Sequence, residues 1–140
     1  MSQTSKEING LRVILDRLVY FRKFDKLETD IVHVFVYFIT VSNFSQAAVT
    51  LKGRRWIIKY EDGHQTIIDG QGIVGKEPMI PSGESFSYNS YHTPYCNCIA
   101  HGSFHGTNAS GEMIHVRIPE FQMNIPPDSY QSGPKEIKLF

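Results

Sequence analysis

The stretch Asp69-Gly-Gln-Gly-Ile-Val-Gly-Lys-Glu-Pro78, DGQGIVGKEP, decides how this chain is read, because it contains G-x-G-x-x-G. In a dinucleotide-binding unit the first glycine turns the chain out of a strand and the second admits the pyrophosphate. The third lets a helix pack closely, with its N-terminus aimed at the phosphate. That reading needs a strand before the motif, a helix after it and an acidic residue about 20 positions on. HQTIID (64–69) supplies the strand. The helix is denied by Pro78, Pro81 and Gly83, since proline disfavours helical geometry in the residue before it and clashes with the preceding turn. The acidic residue is missing too, as nothing between Tyr88 and Gly111 is Asp or Glu. The glycines at 70, 72 and 75 therefore mark positive φ or close approach within a loop, and residues 76–83 are expected to be non-helical.

Outward from that loop the chain has a β pattern. Residues 31–43, IVHVFVYFITVSN, are β-branched and aromatic on both alternating faces, as a central strand would be. Residues 11–20 form an earlier strand, followed by the charged loop 21–30. Residues 47–60 form the next, bent or bulged at Gly53, with Trp56, Ile58 and Tyr60 on one face and Arg55, Ile57 and Lys59 on the other. Asp62-Gly63 signals a hairpin into 64–69. Further strands are expected at 84–91, with Phe86 and Tyr88 on one face, at 95–106, interrupted by Gly102, and at 112–123. No segment holds a helical period beyond about two turns. Short strands separated by turn signals predict an all-β, two-sheet β-sandwich, with Trp56 in its core. The domain is expected over 1–126. The tail 127–140, with Pro127 and Pro134, is expected to be extended, its final EIKLF able to dock on a sheet edge.

The 140 residues suit one domain, and 41% apolar content suits a packed core. Lys plus Arg equals Asp plus Glu at 14 each, which gives no general nucleic-acid or membrane-surface signal. The polar start MSQTSKE lacks a signal pattern, and the apolar run 31–41 is too short to span a bilayer, so a cytoplasmic protein is expected. Cys96 and Cys98 imply no disulfide framework.

In this order the motifs become recognisable. VFVYFITVSN (34–43), LKGRRW (51–56), DG at 62–63, DGQGIVGKEPMIPSGESFSY (69–88), HGSF (101–104) and VRIPEFQM (116–123) resemble the ApaG family across roughly Leu11 to Pro126. The glycine loop followed by P-x-x-x-x-G-E-x-F-x-Y is the most specific part. The resemblance implies a fibronectin-III-like sandwich without an established catalytic activity, no cofactor, a genetic link to cobalt resistance and magnesium efflux, and use as an interaction module inside larger eukaryotic proteins. It points towards binding, although a fold by itself fixes no function.

Several groups of residues could carry chemistry. Gly70, Gly72 and Gly75 could form an anion-binding nest, with Lys76, Arg54 or Arg55 beside it, or could simply turn the chain between sheets, which is the favoured reading. His92, Cys96, Cys98, His101 and His105 offer soft and imidazole ligands suited to zinc or cobalt. In a regular strand, however, 96 and 98 face away from 101 and 105, and buried cysteines with partly exposed histidines are the plainer expectation. No G-x-S-x-G elbow or persuasive carboxylate pair is present, so an enzyme is not expected. The second apolar face of the central strand, Val32, Val34, Val36 and Phe38 or their odd-numbered counterparts, must be covered by something. Another protein or a second copy of the chain is the expected partner, with a phosphate-rich anion or divalent metal as the alternative ligand.

Overall fold

The structure is a computed structural model that describes residues 5–24, 27, 30–127, 133–137 and 139. Ten strands are present among them: β1 Lys6–Glu7, β2 Leu11–Phe24, β3 Ile31–Asn43, β4 Val49–Tyr60, β5 Gln65–Gln71, β6 Met79–Ile80, β7 Ser85–His92, β8 Cys98–Asn108, β9 Met113–Met123 and β10 Lys135–Ile137. They form two sheets. Sheet A has the order β1-β9-β8-β4-β5, with β6 also pairing β4, and sheet B has the order β10-β2-β3-β7. The described residues hold no helix, and none is long and apolar enough to cross a membrane. This is the predicted β-sandwich.

Side-chain alternation explains the core. In β3 the odd positions Phe35, Tyr37, Ile39 and Val41 are buried between the sheets. From sheet A they meet Leu51, Trp56, Ile58, Ala100, Phe104, Val116 and Phe121. Three bulges keep the apolar sets facing inward along long strands. Asp16 is an extra residue in β2, so Leu11 and Val13 precede it and Leu18 and Tyr20 follow it on the same inner face. An extra residue at Lys52 in β4 confirms the irregularity expected at Gly53. A third lies in β9 between Ile118 and Phe121.

Buried Asn43 locks the turn after β3. Its Nδ2 donates to the carbonyls of Ala47 and Ile80, both at 2.9 Å, while Oδ1 accepts the Ser45 backbone N–H. One side chain thus ties sheet B to β6 of sheet A. The C-terminal segment also returns to the sandwich, because Ile137 and Leu139 pack against the core and β10 pairs antiparallel with β2. Among the described residues, the free edges on the opposite side are β5 of sheet A and β7 of sheet B.

Candidate functional site

The glycine motif runs out of β5 into a two-residue hairpin. Gly72 and Gly75 have φ of 70° and 76°, and Val74 between them also lies in the left-handed region at 52°. Residues 76–83 contain no helix. Gly72 N–H donates to the Lys52 carbonyl at 2.6 Å, Ile73 N–H to the Lys76 carbonyl at 2.7 Å and Lys76 N–H to the Ile73 carbonyl at 3.1 Å. Ile73 is fully buried, so the loop is pinned into the core by its centre.

The cations beside the loop diverge. Arg54 faces the sandwich interior, and its Nη1 donates to the carbonyls of Gln71 (3.1 Å) and Gly72 (2.9 Å). The guanidinium occupies the space a Cβ at Gly70 would need. Arg55 faces outward and pairs with Asp69 at 3.3 Å, both exposed. Lys76 is exposed at the hairpin. Gly70, Gly72, Gly75, Lys76, Arg54 and Arg55 do not assemble the alternative anion cradle, because three of the loop's amides already bond to backbone carbonyls and the two arginines lie on opposite faces, as the favoured structural reading of the loop requires.

The histidine and cysteine residues do not converge either. His92 is buried at the end of β7 against Trp56 and Tyr37, and burial holds its imidazole down at about 4. Cys98 is buried on the inner face of β8. Burial, then the neighbouring Cys96, push its thiol up to about 11. Cys96 is half-buried before β8, and both cysteines are free. Alternation puts His101 and His105 on the opposite face of β8 from Cys98. Among the described residues no three His, Cys, Asp or Glu side chains could hold a metal ion. The metal set His92, Cys96, Cys98, His101 and His105 is therefore corrected: strand geometry distributes it over the core, a loop and the outer face of sheet A.

A serine–histidine contact does occur, where Ser5 Oγ lies 2.8 Å from His115 Nδ1. Glu7 stands 3.6 Å from the other ring nitrogen and is engaged by Arg117 at 3.1 Å. These residues fasten the N-terminal strand to β9.

Two features are concentrated around sheet B. On its outer face the register sets Val19, Val36 and Tyr91 side by side, and sets Arg17, Phe38 and Asn89 in the next row. Tyr91 is 62% exposed, and the Arg17 guanidinium lies 4.8 Å from the centre of the Phe38 ring. On this even-numbered face of β3, Val34 is already buried, and Val36 and Phe38 are the apolar positions left for a cover. On the inner face, Tyr37 gathers Trp56, Tyr88 and His92, with ring centroids 5.0, 6.3 and 4.8 Å away. Parity along β7 already aligns Tyr88 with His92 in sequence. What sequence does not show is that they face Trp56 and Arg54.

Comparison with known proteins agrees with this architecture. The ApaG domain matches residues 25–108. The chain is 40% identical over 96 residues to Protein ApaG of Pectobacterium carotovorum, covering 66% of this chain and 75% of that one. It is 35% identical over 95 residues to Protein ApaG of Xanthobacter autotrophicus, covering 67% and 73%. A structural-genomics X-ray structure, target SoR45, superposes with a TM-score of 0.75 at 26% identity, over 89% of this chain and 94% of that one. With the ApaG domain spanning more than half of the sequence and the sandwich shared, the chain belongs to the ApaG family.

Proposed function

We propose that the chain is a non-catalytic interaction module that binds another protein through the outer face of sheet B. The observation that carries this reading is the apolar row Val19–Val36–Tyr91, continued by Phe38, on a face whose inner side already fills the core. Interfaces are enriched in such aromatic anchors, and Tyr91 and Phe38, with Phe21 of β2 further along the same face, supply them here. The neighbouring free edge β7 adds backbone donors and acceptors that an extended partner segment can pair with. Two free cysteines support a cytoplasmic setting, where thiols stay reduced. The link to cobalt and magnesium homeostasis that the resemblance implies is read as acting through the protein partner.

Site-specific photocrosslinking in source-organism cells tests the surface. A photoreactive residue replacing Tyr91 is expected to capture a discrete partner, and the same residue replacing Arg55, on the outer face of sheet A, is expected to capture none. Capture at position 55 alone would contradict the proposal. A crosslinked product containing only this chain would identify a second copy as the occupant.

A further inference from the structure

The edge of sheet B opposite β7 is covered only in part. β2 runs from Leu11 to Phe24, whereas β10 pairs with it at Leu18, Val19 and Tyr20. Among the described residues no strand pairs with this edge over 11–17. Pro134 stands directly before β10 and has no N–H with which to extend the ladder. Beside the uncovered part lies a cavity of about 640 Å³ between β2 and β9. Val13, Ile14 and Leu15 line it from β2, and Ile137 and Leu139 line it from the C-terminal segment. Leu15, Ile137 and Leu139 are only partly buried, and Ile14 is 42% exposed. An unpaired strand edge next to open apolar walls has the form of a site for an added strand.

The C-terminal segment displays the chemistry that such a strand needs. It runs antiparallel to β2, with Glu136 opposite Val19 and Ile137 opposite Leu18. Glu136 pairs with Arg17 at 3.1 Å, both side chains being exposed. Ile137 and Leu139, two positions apart, pack on the core and line the cavity. The pattern is acidic, apolar, any residue, apolar. A strand continued in the same direction passes Leu15, Ile14 and Val13, the residues that line the cavity from β2. Glu120 is the one charged side chain of the cavity wall, which disfavours a fatty-acid carboxylate and favours an apolar peptide segment. We propose that the β2 edge is a strand-addition site for an extended segment of a protein partner that carries this pattern followed by further apolar residues, and that β10 holds the edge until the partner displaces it. Three ladder positions and one exposed ion pair hold β10 weakly. Its advantage over a separate peptide is the tether, which gives it a high effective concentration. This edge lies across sheet B from β7, and its use does not rest on the outer face as a binding surface.

Two fluorescently labelled peptides probe the edge: the chain's own GPKEIKLF (133–140) and the same sequence with two valines added at its end. Each is titrated by anisotropy against the full wild-type chain and against the full chain carrying Ile137→Ser and Leu139→Ser, which releases β10. The released chain is expected to bind either peptide about tenfold more tightly than wild type. The longer peptide is expected to bind about tenfold more tightly than the shorter, with the backbone amide resonances of Val13, Ile14 and Leu15 shifting as it saturates. Glu136→Arg, an exposed change that sets like charge against Arg17, is expected to raise peptide affinity in the same direction without touching the core. Adding Arg17→Glu to the released chain is expected to weaken GPKEIKLF and to favour the peptide with lysine in place of its glutamate. Equal affinity in the wild-type, released and Glu136→Arg chains would overturn the proposal, as would β2 amides that do not move. Self-association of the released chain that excludes the peptide would make a second copy the occupant and overturn it. Decanol shifting the same amides where the peptides do not would make the cavity a lipid site, with the same consequence.

Discussion

The indole of Trp56 meets the imidazole of His92 edge-on, with ring centroids 4.7 Å apart and the ring planes at 83°. Tyr37 and Phe121 complete the aromatic packing around the indole. Removing that side chain takes away buried area and leaves a cavity, so Trp56→Ala is expected to lower stability by about 3–5 kcal/mol in urea unfolding. Native emission is expected at the short wavelengths of a buried indole. A solvent-like emission maximum would contradict the placement.

His92 gives the fold a dependence on acid. Burial holds its folded-state pKa at about 4, against 6.5 for a free imidazole. Above pH 6.5 both the folded and unfolded forms are neutral, and stability is fully present. As pH falls from 6.5 towards 4 the unfolded chain takes up a proton that the folded chain excludes, so stability is lost. About 2 kcal/mol of that loss falls between pH 7.5 and 5, above the main carboxylate range. Urea unfolding at pH 7.5 and pH 5 measures it. His92→Phe is expected to flatten the dependence, and an equal loss in that variant would assign the effect elsewhere.

The glycine hairpin makes two opposite predictions. A Cβ at Gly72 would meet the Lys76 carbonyl oxygen at 2.8 Å, in a residue with φ of 70°. Gly72→Ala is therefore expected to cost about 2 kcal/mol. Val74 is β-branched, 56% exposed and left-handed, at a turn position that favours asparagine. Val74→Asn is expected to raise stability by about 1 kcal/mol. Paired thermal melts check both, and a neutral Gly72→Ala would show that the loop relaxes.

Asn43 should be far more sensitive than an ordinary turn residue. Asn43→Ala strips the buried Ile80 carbonyl of its side-chain donor and frees the turn. A loss of about 2–3 kcal/mol is expected. Asn43→Asp should be at least as damaging, because it replaces the donating amide with an acceptor. A mild effect in chemical denaturation would mean that the turn is held by its backbone alone.

Much of this was legible along the chain. The run 31–43 shows its own boundaries because β-branched and aromatic residues fill both faces, and the observed β3 ends where the pattern does. Pro78 and Pro81 excluded a helix after the glycines. Strands of two or three residues, such as β1, β6 and β10, are too short to carry a period. The bulge at Asp16 made LRVILDRLVY look irregular, since an extra residue reverses parity midway. Arg54 and Arg55 read as a pair in sequence but face opposite sides, as period two requires. The polar group around Tyr37 was hidden for another reason: alternation says which residues share a face, and only the stacking of two sheets says which faces meet.

A partner captured at position 91 allows the outer face of sheet B to be measured directly as a binding surface. Its affinity is compared by calorimetric titration for the wild-type chain, the Phe38→Glu/Tyr91→Glu double variant and the Arg55→Glu control. Loss of two aromatic anchors is expected to weaken binding by about a hundredfold or more, with the control within about twofold. Unchanged affinity in the double variant, with its melting temperature preserved, would contradict the account.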